Sequence, residues 1–147
     1  MRPLILFALA FMLLTGGCAR QPKQMELCEY YLWSTQEHLK LVDHMVGANV
    51  DLELAAQVAR KIESQPAPEL AQPYKEAILN EFAKRSTWYT ASTEIASATA
   101  VPIETEEAHL AGFIEFQSLR AAREEEFTKL APFCPQEADA IQKLISE

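Results

Sequence analysis

The chain has 147 residues, 49% of them hydrophobic, with 21 acidic against 13 basic side chains and a formal net charge of −8. The length is that of one domain able to bury a real core. The acidic balance argues against nucleic acid and against docking on anionic lipid.

One basic residue, Arg2, precedes an apolar run from Leu4 to Leu14, and the composition turns polar after Cys18. The run is too short for a spanning helix, which needs ~20 apolar residues. A positive start, a short apolar middle and small residues at the end describe a cleaved export signal. Leu14-Thr15-Gly16-Gly17-Cys18 resembles the lipobox of bacterial lipoproteins, with Thr15 departing from the commoner Leu. The resemblance implies that residues 1–17 are removed and that Cys18 is lipidated and becomes the first mature residue. Two or more acyl chains there would give a stable membrane anchor. Cleavage after Ala19, which would discard Cys18, and an uncleaved anchor are the competing readings. Ala19 stands where an Asp would favour inner-membrane retention, so the resemblance points to the outer membrane and a periplasm-facing domain. Losing Arg2, the one charged residue before Cys18, takes the net charge from −8 to −9. Residues 18–24 form a polar stem containing Pro22, and residues 25–147 the domain.

With Cys18 alkylated, Cys28 and Cys134 remain. An even remainder in an exported chain predicts one disulfide, the alternative being two separate buried thiols. No CxxC or CxxCH occurs, so neither a thioredoxin-like redox site nor c-type haem attachment is signalled.

The spacing predicts a first helix over residues 25–46, with Cys28, Tyr31, Thr35, Leu39, Val42 and Val46 on its inner face. Gly47 is its natural stop. Asn49 or Asp51 can cap a second helix that runs to Ser64 on an inner face of Leu54, Ala55, Val58 and Ile62. Pro66 and Pro68 break the chain. A third helix starts near Glu69 with Pro73 in its first turn. It frays over the Ala, Ser and Thr residues from Thr90 to Ala100 into a hairpin tip at Val101-Pro102. A fourth runs from Ile103 to Pro132 with Glu104, Glu106 and Glu107 at its start. Its inner face reads Phe113, Phe116, Arg120, Arg123, Phe127 and Leu130, flanked by Leu110, Ile114 and Leu119. Pro135 opens a fifth, with Ala138, Ile141, Leu144 and Ile145 inward. No strand alternation appears. The expected fold is all-α, an antiparallel bundle of four to five helices stapled by one disulfide between Cys28 and Cys134.

Glu106-Glu107-Ala108-His109 holds a Glu-x-x-His, half of what a di-metal bundle site needs, but no second copy exists. It reads as first-turn charge rather than a metal site. His38 and His44 are six apart and read as partly exposed helix residues. No catalytic serine motif or phosphate loop is present, and every carboxylate can be placed on a wet helix face, so the chain reads as non-enzymatic, with no metal or other cofactor. The aromatics carry the functional reading. Tyr30, Tyr31 and Trp33 crowd one helix and Trp88 and Tyr89 another. Neighbours on a helix diverge by ~100°, so not all face one core. Tyr30, Trp33, Trp88 and Tyr89 are therefore candidate partner-binding residues, against the alternative that they lie along neighbouring helices.

The expected function is a lipid-anchored interaction or assembly module with a protein partner in the envelope, accessory to a secretion or envelope apparatus. In its lipobox, mature size, helices and a bridge ahead of the last helix, the chain resembles small pilotin lipoproteins, which escort secretin subunits to the outer membrane. The long third and fourth helices depart from that pattern. The alternatives are an immunity or exclusion lipoprotein blocking a toxin, phage or conjugative system, and a bundle binding a small hydrophobic ligand in a cavity near Trp88, Phe113 and Phe116.

Overall fold

The computed structural model describes residues 25–46, 50–98 and 102–146. The expected lipobox with Cys18 and the expected stem, together with Gly47, Asn49 and Val101, lie outside the described residues. Five α-helices follow one another: α1 (Leu27–Asp43), α2 (Leu52–Ser64), α3 (Gln72–Ser97), α4 (Ile103–Leu130) and α5 (Pro135–Ser146). Single 3-10 turns, Glu69–Ala71 and Ala131–Phe133, lead into α3 and out of α4. No strand occurs among the described residues.

Local chemistry sets the boundaries. The Asp51 carboxylate accepts the Leu54 amide at 2.9 Å and caps α2. Pro73 stands in the first turn of α3, where the missing N–H costs nothing. Pro135 begins α5 for the same reason. The Lys75 ammonium donates to the carbonyls of Glu63 and Gln65, at 2.7 and 2.8 Å. It thereby satisfies the open end of α2 and fixes the Pro66–Pro68 turn against α3.

α3 departs from the expected fraying and stays helical to Ser97. Its Ser and Thr hydroxyls turn back on the helix: Thr90 donates to the Ser86 carbonyl, Ser92 to Trp88, Thr93 to Tyr89 and Ser97 to Thr93. Each hydroxyl finds an acceptor without leaving helical geometry.

One core joins Tyr30, Tyr31, Leu41 and Met45 of the α1 segment to Ala55, Ala59 and Ile62 of α2. Ala71, Tyr74, Ile78, Leu130, Cys134 and Ile141 complete it. Tyr31, Tyr74 and Phe127 form its aromatic centre, with ring centroids 5.1–6.3 Å apart. The Thr35 hydroxyl gives its proton to the Tyr31 carbonyl at 2.8 Å, so the Tyr74 hydroxyl donates to Thr35 at 3.2 Å. The buried face of α1 is turned from the expected one. Tyr30, Ser34, Glu37, His38 and Leu41 are inside, while Val46 is exposed. Leu54, Leu144 and Ile145, expected inward, are exposed as well.

Cys28 and Cys134 form a disulfide, with Cα atoms 5.3 Å apart. It ties the first turn of α1 to the residue just before α5. The 106-residue separation puts the loop-entropy contribution at up to about 4.7 kcal/mol.

Candidate functional site

α3 and α4 continue beyond the core as a two-helix arm. No residue from Thr90 to Ala98 or from Pro102 to Glu115 is buried. The arm has two parts of different chemistry, a charged root and an apolar shaft.

At the root, Glu81 of α3 pairs with Arg123 of α4; both side chains are almost out of water. The His38 ring of α1 lies 3.8 Å from the same carboxylate. Burial, and then the positive charges of Arg123, Arg85 and Arg120, push the His38 pKa down to about 3. The imidazole is therefore neutral, and its contact with Glu81 is not an ion pair. Arg85 donates to the Met45 carbonyl at 3.3 Å, at the end of α1, and its guanidinium covers the Phe116 and Tyr89 rings at 5.3 and 5.9 Å. A cleft of about 390 Å³ opens here, lined by His38, Glu81, Arg85, Arg120, Arg123 and Glu124 with Val46 and Ile145. Glu37 is the second buried carboxylate. Burial alone would raise its pKa, but hydrogen bonds and charge from Lys40 and Lys61 outweigh that and hold it below the usual range. The expectation that every carboxylate sits on a wet face fails at Glu37 and Glu81. The expectation that His38 is partly exposed fails too, since it is 6% exposed. Each is matched by a partner on another helix, Lys61 for Glu37 and Arg123 for Glu81, which periodicity along one helix does not reveal.

Along the shaft, Trp88 is the hub. Its ring stacks on His109 at 5.1 Å and meets Phe113 at 5.4 Å and Phe116 at 6.3 Å. The Ser92 hydroxyl spends its proton on the Trp88 carbonyl at 2.8 Å, so it accepts from Nε2 of His109 at 3.3 Å. Nδ1 of His109 and Nε1 of Trp88 have no partner among the described residues. Beside this stack runs an open groove of about 600 Å³. Small side chains, Ala91, Ala98, Ala108, Ala111 and Gly112, form much of its wall beside Trp88, His109 and Ile95, with Glu94 and the Glu115–Lys84 pair at the rims. Phe113 and Phe116 fill the space against Trp88 and are not among its walls. The apolar space is thus an open groove beside Trp88, not an interior cavity among the three rings. On α4, Ile103, Leu110 and Ile114 are 71%, 59% and 60% exposed.

The four aromatic candidates separate. Tyr30 is completely buried in the core, and burial raises its phenol pKa, so it offers a partner no surface. The Trp33 ring lies 5.6 Å from Tyr30 and under the Lys61 ammonium, covered by α2 on one side. Trp88 and Tyr89 stand together on the arm, 5.2 Å apart. The sequence reading missed the alanine-lined groove; its signal was the run of small residues at helical spacing on both arms of the hairpin.

Among the described residues, the cluster of metal-binding residue types close enough to share an ion is Cys28, Cys134 and Glu137. Two of its three donors are the disulfide sulfurs, which are poor ligands beside thiolates. Glu106 is exposed and His109 is taken up by the Trp88 stack, so Glu-x-x-His builds no centre. No helix among the described residues is long and apolar enough to cross a membrane.

The chain matches no protein-family model, no curated protein and no solved structure.

Proposed function

We propose that this protein is a lipid-anchored, periplasm-facing and non-enzymatic interaction module, accessory to a secretion or envelope apparatus. The lipobox at Cys18 supports the anchor. The arm supports the interaction: two long helices leave the core with an aromatic hub between them and large exposed apolar side chains, Ile103, Leu110 and Ile114, on α4. A helix stripe of that kind is ordinarily buried against another element, and contiguous exposed apolar surface marks interaction sites. Anchoring confines the arm to one membrane and raises its effective concentration against a partner held there.

The experiment is done in intact envelopes. Cys18→Ser should release the protein from the membrane fraction. A photo-crosslinking residue at Ile114 should yield a discrete adduct, whereas one at exposed Gln57 on α2 should not. Continued membrane association of the serine variant would remove the anchor. Absence of any adduct from the arm would remove the interaction.

A further inference from the structure

The shaft of the arm has a charge pattern that its apolar groove does not require. Between Arg85 and Arg120 there is no Lys or Arg, while Glu94, Glu104, Glu106, Glu107 and Glu115 all fall within that stretch. The groove is built by two stripes at helical spacing. On α3 the stripe is Thr87, Ala91, Glu94 and Ala98; on α4 it is Ala108, Ala111 and Glu115, preceded on the same helical face by Glu104, which lies beyond the groove's walls. With Glu104 included, each runs in steps of 4, 3 and 4, so each occupies one face. The middle of the groove is alanine; Glu94 stands at one rim, and at the other Glu115 is paired with Lys84. Only Glu115 has an ion partner, Lys84 at 2.6 Å; Glu94 and Glu104 have none among the described residues.

We infer that the groove is the seat of a cationic amphipathic helix from a partner protein. Small side chains on both walls let a third helix approach closely, as ridges of one helix enter the grooves of others. The α3 stripe from Thr87 to Ala98 is about 17 Å long at 1.5 Å per residue, which fits a partner of about three turns. Lysines or arginines flanking that helix's apolar stripe meet Glu94 at the rim and Glu104 just beyond it, which supply selection and encounter rate. The same charges exclude the other occupants. A second copy of this chain would bring together two acidic shafts whose one groove-lining Lys or Arg, Lys84, is already held by Glu115. An anionic bilayer repels the arm instead of receiving it.

This inference rests on the arm being an interaction surface, and the test separates the two. The full-length lipidated chain is reconstituted in phosphatidylcholine nanodiscs and titrated with three labelled peptides, read by fluorescence anisotropy against empty discs. One peptide has a leucine stripe at helical spacing with flanking lysines. The second carries glutamate for every lysine, and the third has the lysine composition with the leucine spacing scrambled. The first is expected to bind about tenfold or more tighter than either control, and to weaken as salt is raised. Ala108→Phe and Ala111→Phe, at exposed positions, should fill the groove and lower that binding about tenfold while helix content stays unchanged. Equal binding of the lysine and glutamate peptides would overturn the inference, as would unchanged binding by the filled variants. So would self-association of the discs through the arm, or insertion of the arm into discs containing anionic lipid. If no peptide binds but the Ile114 adduct still forms in envelopes, the cationic helix is wrong and the interaction surface stands. If neither forms, both fall.

Discussion

The Arg123 guanidinium and the Glu81 carboxylate are paired across α3 and α4 with their side chains only 12% and 4% exposed. This pair holds the root of the arm, with His38 of α1 against the same carboxylate. Removing one member leaves the other charge stranded out of water, at a cost of about 3–5 kcal/mol. Replacing both with apolar side chains of similar size should recover most of that. Urea denaturation of Glu81→Leu, Arg123→Leu and the double variant checks it. Additive losses in the double variant would contradict the pairing.

His38 sets a pH dependence whose sign follows from its depressed pKa. Between its folded value of about 3 and the unfolded value of roughly 6.5, the unfolded chain binds a proton that the native state refuses. Stability therefore falls on acidification through that window, by at most about 1.4 kcal/mol per pH unit from this group. Glu37, held low by Lys40 and Lys61, adds in the same direction at the acid end, because its stabilisation is lost as pH falls through its folded pKa. Urea midpoints across the window should drop less steeply for His38→Gln than for the wild-type chain.

The Cys28–Cys134 bridge should be found as one linked peptide in non-reducing mass analysis. Cys28→Ser with Cys134→Ser should lower stability by about 2–5 kcal/mol without loss of helix content. Thermal unfolding with and without reductant gives the same comparison on the unaltered chain, which should lose its advantage when reduced.

Gly112 stands inside α4, facing Trp88. A Cβ built there meets only Trp88 Cδ1, at 3.7 Å, which is ordinary contact. Gly112→Ala should thus stabilise the protein by about 0.5–1 kcal/mol through helix propensity. Its thermal midpoint should rise. A fall would mean that the groove floor is tighter than this geometry.

Much of the architecture was legible because helix ends are local chemistry. Asp51, Pro73 and Pro135 mark boundaries whatever lies beyond them, and the parity of the cysteines after Cys18 pointed to the bridge. The inner faces were legible only in part: Tyr31, Ala55, Ile62, Phe116, Leu130 and Ile141 are buried as their spacing predicts, but the limits of each buried stripe could not be read. Glu37, His38 and Glu81 look solvated along their own helices; they are inside because Lys61 and Arg123 arrive from others. Leu144 and Ile145 look buried by period, but α5 is covered on a narrower stripe around Ile141. Tyr30, a candidate for partner binding, is in the core for the same reason, and α2 closes over one side of Trp33 beside it. Of the functional candidates, Trp88 and Tyr89 share the arm. The alanine groove beside them went unread, because small residues are as frequent on idle faces as on docking ones.

The bridge also decides how force would travel. A pull applied between the front of the domain and α4 runs from Cys28 through sulfur to Cys134, then across one 3-10 turn into the foot of α4. That covalent shortcut bypasses α1, α2 and α3, so tension between the front of the domain and the arm would not peel the domain open from its first helix.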